Sequence, residues 1–243
     1  MKSFIYILLT SLTFLVVGCQ NESEEIRLIN QAERLFDAYP DSVITTLDSI
    51  PLPEEMSPRL IARWCMLYAR AADKIEDEMP YTNQLEIALK YYQKKKMREE
   101  EAEIGLYLGR SYVEDKEYEK AMRAYSDALE VALAIKNYNR AGYICSYMGD
   151  LYEVDLRYIL AAEKYKESGK YFHLANNTTS YVRAFVNEGR SYMSVDSNYL
   201  ALASLKQAEV IMDSLNVENV KTYVYNGLGN IYNDCLLYTS DAA

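Results

Sequence analysis

The sequence predicts an all-α solenoid of antiparallel helix hairpins, and three observations carry that expectation. Blocks of sequence recur at a period of 40 residues. Helix-breaking residues are scarce, at 9 Gly and 5 Pro in 243 residues. Half of the chain is hydrophobic, and 24 residues are tyrosine. Few breakers and many helix formers imply long helices joined by short turns. A fixed period of this length implies supersecondary units that bury their apolar faces only by stacking.

The first segment, 1–18, reads as a signal peptide rather than as part of the fold. Lys2 gives it a positive start, and Phe4 to Val17 is a 14-residue apolar run. That run is short for a bilayer core of ~30 Å and right for a signal-peptide core. It ends in Val16-Val17-Gly18-Cys19, which resembles a bacterial lipobox. The resemblance implies cleavage before Cys19 and attachment of lipid to its thiol; the alternative is that Cys19 ends an uncleaved membrane segment. Two or more acyl chains, each contributing ~0.8 kcal/mol per buried methylene, hold a protein durably on a membrane. The polar, acidic stretch 19–25 resembles the tether of surface lipoproteins of the Bacteroidota, and it reads equally as a solvated linker.

Residues 26–53 form the next unit. Ile26 to Tyr39 reads as a helix, Pro40-Asp41 opens a short one through Asp48, and Pro51 and Pro53 end the hairpin. It is expected to cap the array that follows at 62–234. Lys94-Lys95-Lys96 with Glu99-Glu100-Glu101 is read as a solvated connection inside that array.

The repeat itself is carried by aligned columns. Leu108-Gly109-Arg110-Ser111-Tyr112 is matched by Met148-Gly149-Asp150-Leu151-Tyr152, by Glu188-Gly189-Arg190-Ser191-Tyr192 and by Leu228-Gly229-Asn230-Ile231-Tyr232. Twelve residues after the first three glycines stand Ala121, Ala161 and Ala201. Tyr125, Tyr165 and Leu205 follow, then Ala128, Ser168 and Ala208. Glycine and tyrosine three apart share one helix face. An interior glycine costs ~1 kcal/mol relative to alanine, so its recurrence points to a second helix crossing too closely for a side chain. Ala121 and its equivalents are expected to supply the complementary small surface, with Tyr112 and Tyr125 filling the space on either side.

These columns resemble the tetratricopeptide repeat, with Leu-Gly-x-x-Tyr in helix A and Ala-x-x-x-aromatic-x-x-Ala in helix B. The resemblance implies a right-handed superhelix of ~40-residue repeats near 62–101, 102–141, 142–181 and 182–221, with a partial repeat at 222–234. The family's repeat is ~34 residues long. The extra residues fall late in helix B and at the entry to the next helix, giving helices of roughly 16–18 residues. A weaker copy one period earlier keeps Ala69, Ala72, Leu85 and Ala88. The buried fourth position of the family's helix A reads Cys65, Cys145, Phe185 and Tyr225, whereas Gly105 breaks the column. Helix A of the partial repeat is expected to end near Asn233. Residues 235–243 resemble translated adapter sequence, so the chain is expected to be a fragment of a longer product.

Composition narrows function. Lys+Arg is 26 against Asp+Glu 36, a net charge of −10, which repels phosphate backbones and argues against nucleic acid as partner. His173 is the only histidine, and no GxSxG, Walker or Cys-x-x-Cys motif occurs. No enzyme chemistry, metal or cofactor is therefore expected. Cys65 and Cys145 read as small buried hydrophobes.

What remains is a binding surface. The resemblance implies a concave groove lined by helix A, with binding candidates Arg63, Met66, Arg70, Leu106, Arg110, Tyr143, Asp150, Arg183 and Arg190. Glu103, Ser146, Val186, Tyr223, Asn226 and Asn230 share those register positions. Arginine forks take carboxylates in bidentate fashion, which suits an acidic peptide or chain terminus. The same arginines could instead pair with acids of neighbouring helices. The expectation is a membrane-anchored, non-catalytic adaptor of the cell envelope. The alternatives are the sensor half of a larger receptor, or a glycan-binding lipoprotein.

Overall fold

The computed structural model describes residues 24–51 and 55–240, with side chains through residue 233. The signal peptide, Cys19 and the start of the tether lie outside the described residues, as do Pro53 and 241–243. Every regular element among the described residues is helical. The chain divides into two units at Met97/Arg98. None of the described helices is long and apolar enough to cross a membrane.

The first unit holds α1 (24–35), α2 (Pro40–Asp48), α3 (Pro58–Ile75) and α4 (Thr82–Lys95). Pro40 and Pro58 open α2 and α3, where the missing N–H is no loss and the fixed φ is already helical. Pro40 also explains why α1 stops at residue 35 and not at Tyr39. A residue preceding proline is pushed out of the α region, and Tyr39 sits at φ −141°, ψ 69°. Two polar side chains tie the buried apolar faces together. The Trp64 indole N–H donates to the Leu47 carbonyl at 3.2 Å, and the Tyr92 hydroxyl donates to the Ala62 carbonyl at 3.0 Å.

The second unit is a run of helices at 20-residue steps: α5 (Arg98–Glu114), α6 (Tyr118–Ala134), α7 (Tyr138–Val154), α8 (Tyr158–Leu174), α9 (Thr178–Met193), α10 (Asn198–Leu215) and α11 (Lys221–Ser240). Helices of 16 to 18 residues fill α5 through α10. α11 continues past Asn233 to Ser240. One turn is used over and over. Lys116, Lys136, Leu156, Asn176, Asp196 and Asn216 all take positive φ, between 53° and 61°. The residue after each donates to the carbonyl five positions back, as in Glu117 to Tyr112, Asn137 to Ala132 and Arg157 to Tyr152, all at 2.8 Å. These are Schellman caps built without glycine, at ~1–2 kcal/mol of strain each.

Hairpin packing departs from the sequence expectation at the glycines. A Cβ on Gly109 would stand 2.2 Å from the Tyr125 ring, and one on Gly149 would stand 2.7 Å from that of Tyr165. The glycine therefore opens a slot for the helix B aromatic, not for an alanine-to-glycine approach of the two helices. Both rings are 1% exposed. Burying such a ring contributes roughly 2–3 kcal/mol, which outweighs the ~1 kcal/mol cost of a helical glycine. At Gly189 the slot is filled by Leu205, and there the Ala201 carbonyl also comes within 3.1 Å. Ala121, Ala161 and Ala201 are fully buried beside these slots.

Gly105, which breaks the fourth-position column, faces Ala128, whose Cβ would be 2.9 Å from an added methyl. The small pair lets α5 and α6 close at that level. The helix A tyrosines grade outward: Tyr112 is buried, Tyr152 and Tyr192 are half-buried, and Tyr232 is exposed. Tyr225, placed in a buried slot by its register, is 43% exposed. The last core cluster joins α9, α10 and α11 through Val182, Val186, Leu205, Met212, Val224 and Ile231.

Gly229 has nothing within 4 Å of its added Cβ, which sets up a contrast. Gly109→Ala should destabilise the protein by up to ~2 kcal/mol, because overpacking at ~1–3 kcal/mol exceeds the gain in helix propensity. Gly229→Ala should stabilise it by ~0.5–1 kcal/mol. Urea melts of the two variants against the parent check the pair, and equal effects would count against the slot.

Candidate binding surface

The face carried by α5, α7, α9 and α11 holds the densest set of the expected groove residues. Arg110 on α5 lies over the Tyr147 ring of α7, 5.2 Å from its centroid, and Tyr147 stacks on Tyr125. One turn further along α7, Asp150 accepts a hydrogen bond of 2.5 Å from the Tyr165 hydroxyl. Glu153 accepts one of 2.6 Å from Ser191 on α9. On α9, Arg183 and Arg190 are seven apart and so lie two turns apart on one side. Both address Tyr223 of α11. Arg183 stands 5.7 Å from its ring centroid, and Arg190 donates to its hydroxyl at 3.4 Å. The Tyr223 hydroxyl in turn donates to Asn187.

Charge on this face alternates along the stack as Arg110, Asp150 and Glu153, then Arg190. Asp150 keeps one side open to solvent while surrounding helix mass withdraws water from the other. Burial raises its carboxyl above the ordinary range; the Tyr165 hydrogen bond and the Arg190 and Arg110 charges offset part of that, and Glu153 adds to it. Arg190 is held firmly charged, chiefly by its hydrogen bond to Tyr223. Among the described residues neither Arg183 nor Arg190 makes an ion pair with a carboxylate, although both are exposed.

Other expected groove residues are placed differently. Arg63 is taken up inside the first unit, pairing with Glu33 at 2.7 Å and donating to Asn30 at 2.8 Å. For that residue, pairing with a neighbouring helix is the outcome. Met66 and Leu106 are buried, at 6% and 2% exposure, so neither can meet a ligand; register put them on the groove, and packing drew them into the core. Arg70 is half-buried. Glu103 is buried, pairs with Arg140 at 3.0 Å and accepts from Tyr107. Tyr143 packs edge-on against Phe172 and contacts the Ser180 and Asn177 side chains.

Sequence reasoning passed over two features. Asn137 and Asn177, 40 apart, each cap a helix by accepting from the backbone N–H three residues on. Each also reaches one repeat back, Asn137 to Glu99 and Asn177 to Asn139, both at 2.8 Å. Their spacing was the available signal. The second is a pair of cavities. One of about 190 Å³ beside Arg110, Tyr147 and Asp150 is smaller than the ~300–1,000 Å³ of small-molecule sites and fits a side chain. One of about 750 Å³ opens between α6 and the end of α7, with Glu119, Asp127, Asp155, Arg123 and Arg157 among its walls; its charges are mixed.

Cys65, Cys145 and His173 are taken up in packing. Cys65 and Cys145 are free and fully buried. Burial pushes both thiols up, that of Cys145 to about 12, where no thiolate forms at neutral pH. The side chain of Cys235 lies outside the described residues. His173 packs against the Tyr181 ring at 5.0 Å. Among the described residues no group of three His, Cys, Asp or Glu could hold a metal ion.

Comparison with known proteins bears on the fold. No protein-family model matches the chain, and no curated protein matches it. Solved structures do match. The apo form of RapI aligns with a TM-score of 0.66 at 12% identity, over 90% of this chain and 84% of its own. A signal-transduction ATPase with a tetratricopeptide repeat sensor, from Pyrococcus horikoshii, gives 0.63 at 16% identity, over 91% of this chain and 38% of its own. Bacillus thuringiensis PlcR, solved with the peptide PapR7 and DNA, gives 0.55 at 14% identity, over 84% and 75%. The fold is an all-α, tetratricopeptide-like solenoid of helix hairpins.

The raised carboxyl of Asp150 has a stability consequence. A group whose folded value lies above its unfolded one stabilises the fold below the unfolded value, ~3.9 for Asp. That contribution is lost as pH rises through the folded value. Asp150→Asn still offers an oxygen to Tyr165 and cannot ionise. It should raise the melting temperature at pH 7, and the gain should vanish as pH falls towards ~4. Thermal melts across this range check it, and a pH-independent change would point to packing instead.

Proposed function

We propose that this protein is a non-catalytic binding protein, and that the α9–α11 part of the surface takes an acidic peptide segment or a chain-terminal carboxylate. The observation that carries the reading is the pair Arg183 and Arg190. They are exposed, set around Tyr223 and, among the described residues, without an ion pair to a carboxylate, in a chain with ten more negative than positive charges. Two guanidinium groups not engaged in an ion pair among the described residues suit bidentate capture of carboxylates, and Tyr223 supplies a rigid aromatic platform between them. The peptide in the PlcR structure supports the view that this fold can hold a peptide.

Asp150 gives the reading a sharp test, because with Glu153 it is a competing carboxylate on the same face. Against a fluorescent peptide of alternating Glu and Leu with a free carboxyl end, Arg183→Ala and Arg190→Ala should each weaken binding roughly tenfold. Asp150→Asn should tighten it, and added salt should weaken all three. Unchanged affinity in the arginine variants, together with lowered melting temperatures, would sink the proposal and make the arginines structural.

We further propose that the protein acts in the cell envelope, held by lipid on Cys19. The apolar run and Val16-Val17-Gly18-Cys19 support this. Expressed in a bacterial host, the parent should partition into the detergent phase on phase separation and Cys19→Ala into the aqueous phase. Equal partitioning of the two would remove the anchor.

A further inference from the structure

The first unit holds a cavity that the reading above does not use. It measures about 280 Å³ and lies between α2, α3 and the segment leading into α4, with Asp48, Trp64, Tyr68, Glu78, Tyr81 and Gln84 among its walls. Three features distinguish it from a packing gap.

The first is Gln84. Its side chain is 5% exposed, and its Oε1 is shielded from solvent without a hydrogen-bond partner. Leaving a buried acceptor unmet costs ~1–3 kcal/mol, a cost removed when a donor arrives. Among the described residues it is the single buried side-chain atom in that condition.

The second is charge. The Tyr68 hydroxyl donates to Asp48, and the charges bearing on it are Asp48, Asp77 and Glu78, all acidic. Burial, with these carboxylates, pushes the Tyr68 hydroxyl up to about 12, and burial raises Asp48 as well. The nearby cation Lys74 is directed elsewhere, to the Phe36 ring and carbonyl.

The third is the aromatic wall. Trp64 and Tyr68 lie 4.9 Å apart at a tilt of 36°, while Tyr81, 77% exposed, stands at the mouth. Aromatic faces beside carboxylates recognise organic cations. Among the described residues no group of three His, Cys, Asp or Glu could hold a metal ion, and the aromatic wall suits an organic cation.

We propose that this cavity binds a small organic ammonium group. Asp48 and Glu78 balance its charge, Gln84 Oε1 accepts one of its N–H donors, and its alkyl part lies against Trp64 and Tyr68. The ammonium group can belong to a free amine or to a lysine side chain or amino terminus of another protein. The site is independent of the arginine pair on α9, so either can fail without the other.

Trp64 is the sole tryptophan, so its emission reports on the cavity directly. The full chain is titrated with n-butylammonium, with the lysine peptide acetyl-Gly-Lys-Gly-amide, and with n-butanol as the neutral isostere. A saturable change with an ammonium probe, at millimolar or tighter affinity, and none with butanol is the expected result. Stronger binding of the free amine assigns a small-molecule source, and stronger binding of the peptide a protein source. Asp48→Asn combined with Glu78→Gln should abolish the response. Gln84→Leu should weaken it about tenfold while raising the melting temperature of the free protein. Both variants are used only where circular dichroism shows that they keep their helix content. An equal response to butanol, no response to any probe, or unchanged ammonium binding in Gln84→Leu overturns the proposal.

Discussion

The second unit depends on one arrangement: a helix A position without a side chain and a helix B side chain that fills the space it leaves. Tyr125 over Gly109 and Tyr165 over Gly149 set both the spacing and the rotation of their hairpins. A ring locked in place can then serve two purposes. Tyr165 sends its hydroxyl out to Asp150 on the proposed binding face, and Tyr125 backs Tyr147, over which Arg110 lies. The packing device thus orients the polar surface as well as closing the core. That is why this polar face and the core share residues in one register.

Around this device the chain repeats a single turn without using the residue that favours it. Positive φ at Lys116, Lys136, Leu156 and their successors stores strain at the ends of α5 through α10. Each turn satisfies carbonyls that would otherwise be orphaned, and each holds the next helix antiparallel. Stacked hairpins share their cores with neighbours, so local strain is supported by packing on both sides. Asn137 and Asn177 add a side-chain link from one repeat to the preceding one at the same level. The periodicity is therefore written twice, once in apolar slots and once in caps.

The two proposed sites use opposite chemistry. On α9 and α11, guanidinium groups flank a tyrosine in a chain that is acidic overall. In the first unit, carboxylates and an unmet amide oxygen flank a tryptophan and a tyrosine. In both, an aromatic side chain fixes the geometry and charged groups select the ligand.

Repeat length, helix type and the identity of the packing columns were all legible in the sequence, because a glycine, an alanine and a tyrosine at fixed spacing have one helical reading. Arginines at 110, 183 and 190 could be assigned to one face for the same reason, since helix register is set by 3.6 residues per turn. Register does not decide depth. Met66 and Leu106 hold groove positions and yet lie in the core, and Arg63 is consumed by Glu33 from a helix 30 residues earlier. The glycine slots could be sensed from sequence, but their true occupant, the ring of Tyr125 and not Ala121, depends on the distance between two helices. The Gln84 cavity had no sequence signal at all. An unmet hydrogen bond is a property of what surrounds a residue, and only the tertiary structure brings those surroundings together.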